Sequence, residues 1–378
     1  MRNPLAAHPP WRQLLIIAVI LPLIIALAVL TFAWPVVRMA PRDLPVGIVG
    51  ASPASEQAVA ALAQAEPGGF AFQLYADPAA ASSAIKDRDV YGAFAFSYRK
   101  ITVLEASAAS PAVAQLLDSF GQQLADHATE QAAASGEPSL RTRVAQVDVV
   151  AASASDPREM ALALQFVPLS ISSLIMAAVI ALVLGFRPAW RQVMALAVVS
   201  CTAGLGTYLI VQGYLGMLPH EHLATWAALS LSVFAMGSAT AGLIALVGAA
   251  GLGLSAALMV FVGNAFSGNT SAPQLLPTVA DHVGQWFPPG AAANLLRSTA
   301  YFNGNGASGH VYVLIIWSAL GLAAIVVGHH APVRYAAMRL REPSGSHAIP
   351  SKTNVRSNRI ETCPRSRTST ETPAATRS

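Results

Sequence analysis

Residues 14–37 read LLIIAVILPLIIALAVLTFAWPVV, a run without a single ionisable side chain. A charge-free apolar stretch of about 18 residues or more is the signature of a helix that crosses a bilayer. Five further stretches have the same character: Phe166–Phe186, Val193–Leu215, Leu223–Leu246, Gly248–Phe266 and Val311–Val327. The last is the shortest, and Gly248–Phe266 begins among glycines, so the limits of those two are soft. Composition agrees with the pattern. The 378 residues are 54% hydrophobic and 11% charged, with a mean hydropathy of +0.51, against roughly 25% charge in an average soluble domain. A collagen-like chain and a disordered chain are excluded, and a soluble globular enzyme is not expected.

The first run exceeds the 7–15 apolar residues of a secretory signal, and Arg38 follows it where cleavage needs a small residue. An uncleaved anchor is expected. Orientation follows from the bias of Lys and Arg towards the cytoplasm. With the N-terminus inside, the inner segments hold 13 Lys and Arg against 3 acids, and the outer segments hold 10 against 16. Both termini are therefore expected in the cytoplasm of a multi-pass protein of the plasma membrane, with residues 1–13 and 329–378 inside. From about residue 343 the chain is rich in Ser, Thr, Pro and Arg without apolar periodicity, and a disordered basic tail is expected.

Residues 38–165 are the one segment long enough to fold outside the membrane. Pro45–Gly50 reads as a strand, Ser55–Glu66 as an alanine-rich helix and Phe70–Tyr75 as a strand. Pro78–Lys86 is a helix opened by Asp77 as N-cap. Val90–Phe96 and Ile101–Glu105 form a strand pair across Arg99 and Lys100, Pro111–Ala134 an amphipathic helix, and Arg141–Val150 a closing strand. The expected fold class is an α-helical polytopic membrane protein of six transmembrane helices, with an extracytoplasmic α/β domain inserted between the first and second.

Catalytic signals are sparse. The outer segment holds one histidine, His127, on the amphipathic helix, and the chain has neither a G-x-S-x-G elbow nor a P-loop. Asp87 and Asp89 flank Arg88 in what reads as a solvated turn. Cys201 and Cys363 sit in an apolar run and a polar tail and make no metal motif. His220-Glu221-His222 offers two metal-ligand side chains without a third partner and reads as a solvated loop. No catalytic residue, cofactor, metal or nucleic-acid partner is expected.

The apolar spans carry no charge, which argues against a proton- or ion-coupled carrier. Their serines and threonines, with Gln212, have two readings: hydrogen bonds between helices, or a mildly polar lining for an amphiphilic substrate. Between the fifth and sixth spans, residues 267–310 are apolar but broken by Gly268, Asn269, Pro277, Pro288, Pro289 and Gly290. Irregular backbone at membrane depth must be buried in protein or line a cavity, so an outer re-entrant or gate segment is expected there. Arg297 within it has two readings, an anchor at the headgroups or a contact for an anionic substrate.

Three stretches carry a family resemblance: Leu44–Gly50 after the first span, Ile85–Phe96, and the segment from Gly268 through Leu276-Pro277, Pro288 and Leu296-Arg297 to Tyr301-Phe302. With the arrangement of spans, over about residues 10–335, they resemble the ABC type-2 permease superfamily, in its branch of phage-infection protein (Pip)-like membrane proteins. The resemblance implies a membrane subunit of about six helices that pairs as a homodimer or heterodimer and is driven by a separate ATP-binding subunit. It implies that Arg187, Trp190 and Arg191, in the short inner loop, lie where such permeases meet the ATPase; a plain positive-inside turn is the other reading. The expected function is export of an amphiphilic, lipid-like or drug-like compound across a bacterial cytoplasmic membrane. A surface receptor or envelope scaffold acting through the outer domain is the alternative.

Overall fold

The computed structural model describes residues 11–136, 141–185, 188–218 and 221–330. The expected disordered tail, Arg187 and His220 lie outside the described residues. Among the described residues the protein is mostly helical, with five helices long and apolar enough to cross a membrane and one small sheet.

Helix α1 (Trp11–Val37) leads into the α/β unit. The unit runs β1 (Leu44–Val49), α2 (Pro53–Ala65), β2 (Phe70–Tyr75), α3 (Pro78–Lys86), β3 (Gly92–Ser97), β4 (Lys100–Glu105), α4 (Pro111–Ala134) and β5 (Arg143–Asp148). The sheet order is β2-β1-β3-β4-β5. Neighbouring strands are parallel except β3 and β4, an antiparallel hairpin whose register pairs Phe94 with Val103. Local chemistry sets the helix starts. Asp77 accepts from the Ala80 amide at 2.8 Å, Ser110 from Val113 at 3.2 Å, and Ser52 and Ser55 form a reciprocal capping box before α2. A proline at the first turn of each helix adds a pre-set φ where no amide is needed.

Strand alternation divides the core in two. Leu44, Val46, Ile48, Phe94, Ile101 and Val103 face Leu62 of α2 with Leu117 and Phe120 of α4. Val49, Ala93, Ala95 and Leu104 point the other way, onto Ala81 and Ile85 of α3. That second face does not end at the unit. Its cluster continues without interruption through Leu162 and Phe166 to Met236 and Leu296 in the helical bundle, so sheet and bundle share one apolar core.

The bundle contains α5 (Met160–Leu164), α6 (Phe166–Leu184), α7 (Ala189–Tyr208, continued by a π-helical segment Leu209–Tyr214), α8 (His222–Val247), α9 (Ala249–Ala256, continued by a π-helical segment Ala257–Asn264), α10 (Thr278–Gln285), α11 (Pro288–Tyr301) and α12 (Ser308–His330). The most enclosed of the long helices is α8. Small residues let α12 approach it closely: a Cβ at Gly321 would lie 2.4 Å from the Ser238 carbonyl carbon, and one at Gly328 would lie 2.5 Å from the Ala245 oxygen. Backbone contact of this kind is how helices associate where lipid replaces water. By contrast α1 is exposed along most of its apolar length, meeting the bundle through Phe32 on Phe261 and Trp34 on Phe266.

The fifth apolar stretch differs from its sequence reading. Gly248, at φ +69, ends α8, and Gly251 seats directly against the Leu243 backbone. The following rod spans only Ala249–Asn264, short of the roughly 20 residues a bilayer needs. Gly248 breaks the chain between α8 and this rod, at the point where the apolar stretch begins in the sequence.

Candidate functional site

Two polar constructions stand out within the apolar interior. The first is the joint between the α/β unit and the bundle. Arg88 follows α3 at φ +66 and sends its guanidinium into the helical half. It donates to the Ser298 hydroxyl, to the Asn294 carbonyl at 3.2 Å and to Asn294 Oδ1 at 3.3 Å, and lies 5.2 Å over the Phe302 ring. Burial in this setting pulls it down to about 10. The turn is therefore not the solvated one read from Asp87 and Asp89: those acids are exposed while the arginine between them is inserted. Tyr91 donates to Gln274 at 2.8 Å, and Asn305 donates to the Lys86 carbonyl at 3.1 Å and to Asp87 at 2.9 Å.

Beneath this joint the expected gate residues converge. Gly268 turns at φ +69 close to Pro273, Pro277 precedes α10, and Pro288, Pro289 and Gly290 form the first turn of α11. Gly290 approaches the Gly284 carbonyl so closely that a Cβ would sit 2.3 Å from it, and Gly263 does the same to Pro289 at 2.8 Å. Every residue of α11 is buried. Arg297 neither reaches a headgroup nor faces an open space. Its Nη2 and Nε donate to Glu159 Oε2 at 3.0 and 3.2 Å, and Nη2 also reaches the Asn269 carbonyl at 3.4 Å. Glu159 sits at φ +48, immediately before α5. Burial pushes its carboxyl up, and Arg297 beside it pulls the other way without cancelling the shift. A pocket of about 230 Å³ adjoins Arg88, Tyr91, Asp281 and His310. Its amides Asn294 and Gln285 already bond each other at 2.7 Å, which makes it part of the joint.

The second construction is a cleft of about 430 Å³ between α6, α7 with its π-helical end, and α8. Leu169, Met176, Val199 and Val233 supply most of its walls, and Gln165, Ser172, Ser173 and Thr207 add polar atoms. The hydroxyls of Ser173 and Thr207 donate to Leu169 and Ala203 of their own helices at 2.7 and 2.9 Å. Gln165 differs. Both Nε2 and Oε1 of its amide are shielded from solvent and have no hydrogen-bond partner among the described residues. A volume of this size lies within the range of about 300–1,000 Å³ typical of ligand pockets, which combine apolar walls with few polar groups.

Elsewhere some polar side chains of the spans join helices, as the first reading has it, and others bond their own helix. Asn264 donates to Ser170 at 3.0 Å, and Thr240 and Ser255 are 2.6 Å apart, both joining separate helices. Ser232 bonds only its own helix, to Ala228 at 2.6 Å. Trp190 is exposed at the start of α7, with Arg191 stacked 5.4 Å over it. Because α6 separates that loop from Gln165, the two lie about 28 Å apart along a 19-residue helix. His127 is exposed and 3.8 Å from Glu130, and His222 contacts the Tyr208 hydroxyl at 3.1 Å. Among the described residues, no three His, Cys, Asp or Glu side chains gather as metal ligands.

Sequence reasoning did not find Glu159, Asn294 or Gln165 as site residues. Glu159 was detectable only as the last acid before the second span; Gln165 carries no signal beyond its place at that span's edge. Comparison of the chain with protein-family models, curated proteins and solved structures finds no match.

Proposed function

We propose that the protein is the membrane permease subunit of an ABC-type exporter that moves an amphiphilic, lipid-like or drug-like compound across a bacterial cytoplasmic membrane, powered by a separate ATPase. In this reading six helical segments line the path, the α9 rod counting as the short one. The α/β unit lies outside, both termini lie in the cytoplasm, and two permease chains pair. The observation that carries it is the cleft between α6, α7 and α8, whose apolar walls and few polar groups suit a molecule with a hydrocarbon body. Two sequence features support a separate source of energy: the chain has no P-loop, and its apolar spans carry no ionisable side chain that could bind a coupling proton.

Trp190 and Arg191 mark the face on which the ATPase docks. They are presented at the opposite end of α6 from the joint, where a partner in the cytoplasm would reach them. The alternative, a receptor or scaffold held by inert helices, is disfavoured by the continuous core from Ala93 to Met236. A domain that works alone needs only a tether, whereas this one shares its core with the bundle.

Gentle solubilisation of the tagged chain from its own host, followed by mass spectrometry, tests the reading. A near-stoichiometric P-loop ATPase is expected to copurify, and to be lost on Trp190→Ala with Arg191→Glu. Recovery of the chain alone, or only with envelope proteins, would overturn it.

A further inference from the structure

The cleft has a direction. Its α6 wall is one helix face, Gln165, Pro168, Leu169, Ser172, Ser173 and Met176, at helical spacing. From Gln165 to Met176, eleven steps of 1.5 Å make it about 16 Å long, close to half of the roughly 30 Å hydrocarbon core of a bilayer. Gln165 lies at its upper end, at the junction of α5 and α6 on the side of the α/β unit. The facing wall there is formed by Ile210 and Val211, in the π-helical end of α7. The extra residue of a π-turn disturbs regular helix geometry, and such segments recur at functional sites.

Among the described residues, the lining contains no Asp, Glu, Lys, Arg or His. A charged headgroup would lose its hydration here without gaining a counter-charge. The Gln165 amide offers a donor and an acceptor together and satisfies neither among the described residues; both atoms are covered by protein, and with no hydrogen bond to break the side chain can turn towards a ligand.

We infer that the cleft holds an uncharged amphiphile standing in the leaflet next to the α/β unit, its hydrocarbon chain along α6 and α7 and its hydroxyl- or amide-bearing headgroup exchanging two hydrogen bonds with Gln165 once that side chain turns into the cleft. This names the substrate class of the site proposed above and rests on that reading for its place in export. The binding itself needs no ATPase.

The test uses the full-length protein in detergent and three photoreactive probes with the same diazirine-bearing chain: a monoacylglycerol, an alkyl sulfate and an alkyltrimethylammonium. Crosslinked peptides are identified by mass spectrometry. The monoacylglycerol is expected to label peptides within residues 165–176 and 199–211 and to be displaced by its unlabelled form, with the two ionic probes at least tenfold weaker. Gln165→Leu is expected to lower monoacylglycerol labelling about tenfold, as the loss of one or two hydrogen bonds would. Gln165→Glu keeps the shape of the side chain and is expected to turn the preference towards the cation, a gain that misfolding cannot produce. Gly206→Ala, at a position with open space around it, serves as the unchanged control. Equal labelling by all three headgroups, labelling outside the cleft, or indifference to both Gln165 variants would overturn the inference. A protein that binds as expected but moves nothing would overturn the export reading alone.

Discussion

Arg297 on α11 and Glu159 before α5 form a salt bridge with Nη2 3.0 Å from Oε2, the two side chains 3% and 2% exposed. It ties together segments 138 residues apart in sequence, and holds Glu159 in the left-handed backbone region that a non-glycine residue avoids. Removing one member of such a pair leaves the other charge buried alone, which costs about 3–5 kcal/mol. Arg297→Met and Glu159→Gln are each expected to lower thermal stability in detergent by that order. Arg297→Met with Glu159→Met is expected to recover most of the loss, since a well-packed apolar pair can replace a buried ionic one. A double-mutant cycle on the melting curves checks the coupling.

Arg88 makes the matching connection from the α/β unit. Its guanidinium bonds Asn294 and Ser298 and covers Phe302. Arg88→Ala is expected to weaken the joint by roughly 2–3 kcal/mol, the scale of hydrogen bonds to a charged group. Amide hydrogen exchange should quicken in the turn around residues 86–91 and in α11, while β4 and α4 keep their protection. Uniform quickening across the sheet would contradict the assignment.

Stability should also depend on pH through Glu105. Burial first, then Asp118 and Asp148 beside it, push its carboxyl from 4.5 up to about 7. The folded state thus holds a proton between those values that the unfolded chain has released. The contribution is fully present below about pH 4.5 and is lost as pH rises through 7. Glu105→Gln is expected to flatten this slope and to raise the melting temperature at pH 8 by a few degrees, given about 2–4 °C per kcal/mol for domains of 150–250 residues. At pH 5 the two proteins should melt closer together. Melting curves at both values decide it.

The contact between α8 and α12 predicts a steep size dependence. Gly321→Val would drive a side chain into the Ser238–Ala239 backbone, and overpacking of this kind typically costs about 1–3 kcal/mol and sometimes more. Gly253→Ala, with nothing within 4 Å, should be neutral. Yield of monodisperse protein after solubilisation separates the two.

The strands and helices of the α/β unit were legible because their signals are local. Phe70–Tyr75 and Pro111–Ala134 are a strand and a helix over those same residues, and Asp77 caps the helix its type suggests. The apolar length of residues 166–184 was equally plain. What escaped depends on distant partners. Nothing near Arg297 in sequence points to Glu159, and nothing about a turn reading Asp87-Arg88-Asp89 says that the middle side chain enters another part of the molecule. At Gly248–Phe266 the apolar run is a helical rod over Ala249–Asn264, shorter than the five long helices, and the contact of Gly251 on Leu243 packs its start against α8. Gln165 became visible only once the walls around it were in place.

The most direct test of the account is ATP-driven movement of a fluorescent amphiphile in inverted membrane vesicles. Vesicles are prepared from host cells carrying the chain, lacking it, or carrying Ser173→Trp, which fills the cleft from α6. A nitrobenzoxadiazole-labelled monoacylglycerol is added outside, and the fraction protected from dithionite is followed with and without ATP. The account predicts an ATP-dependent rise in that fraction with the native chain, absent without it and abolished by Ser173→Trp. An equal fraction in all three preparations, or a rise unchanged by filling the cleft, would contradict it.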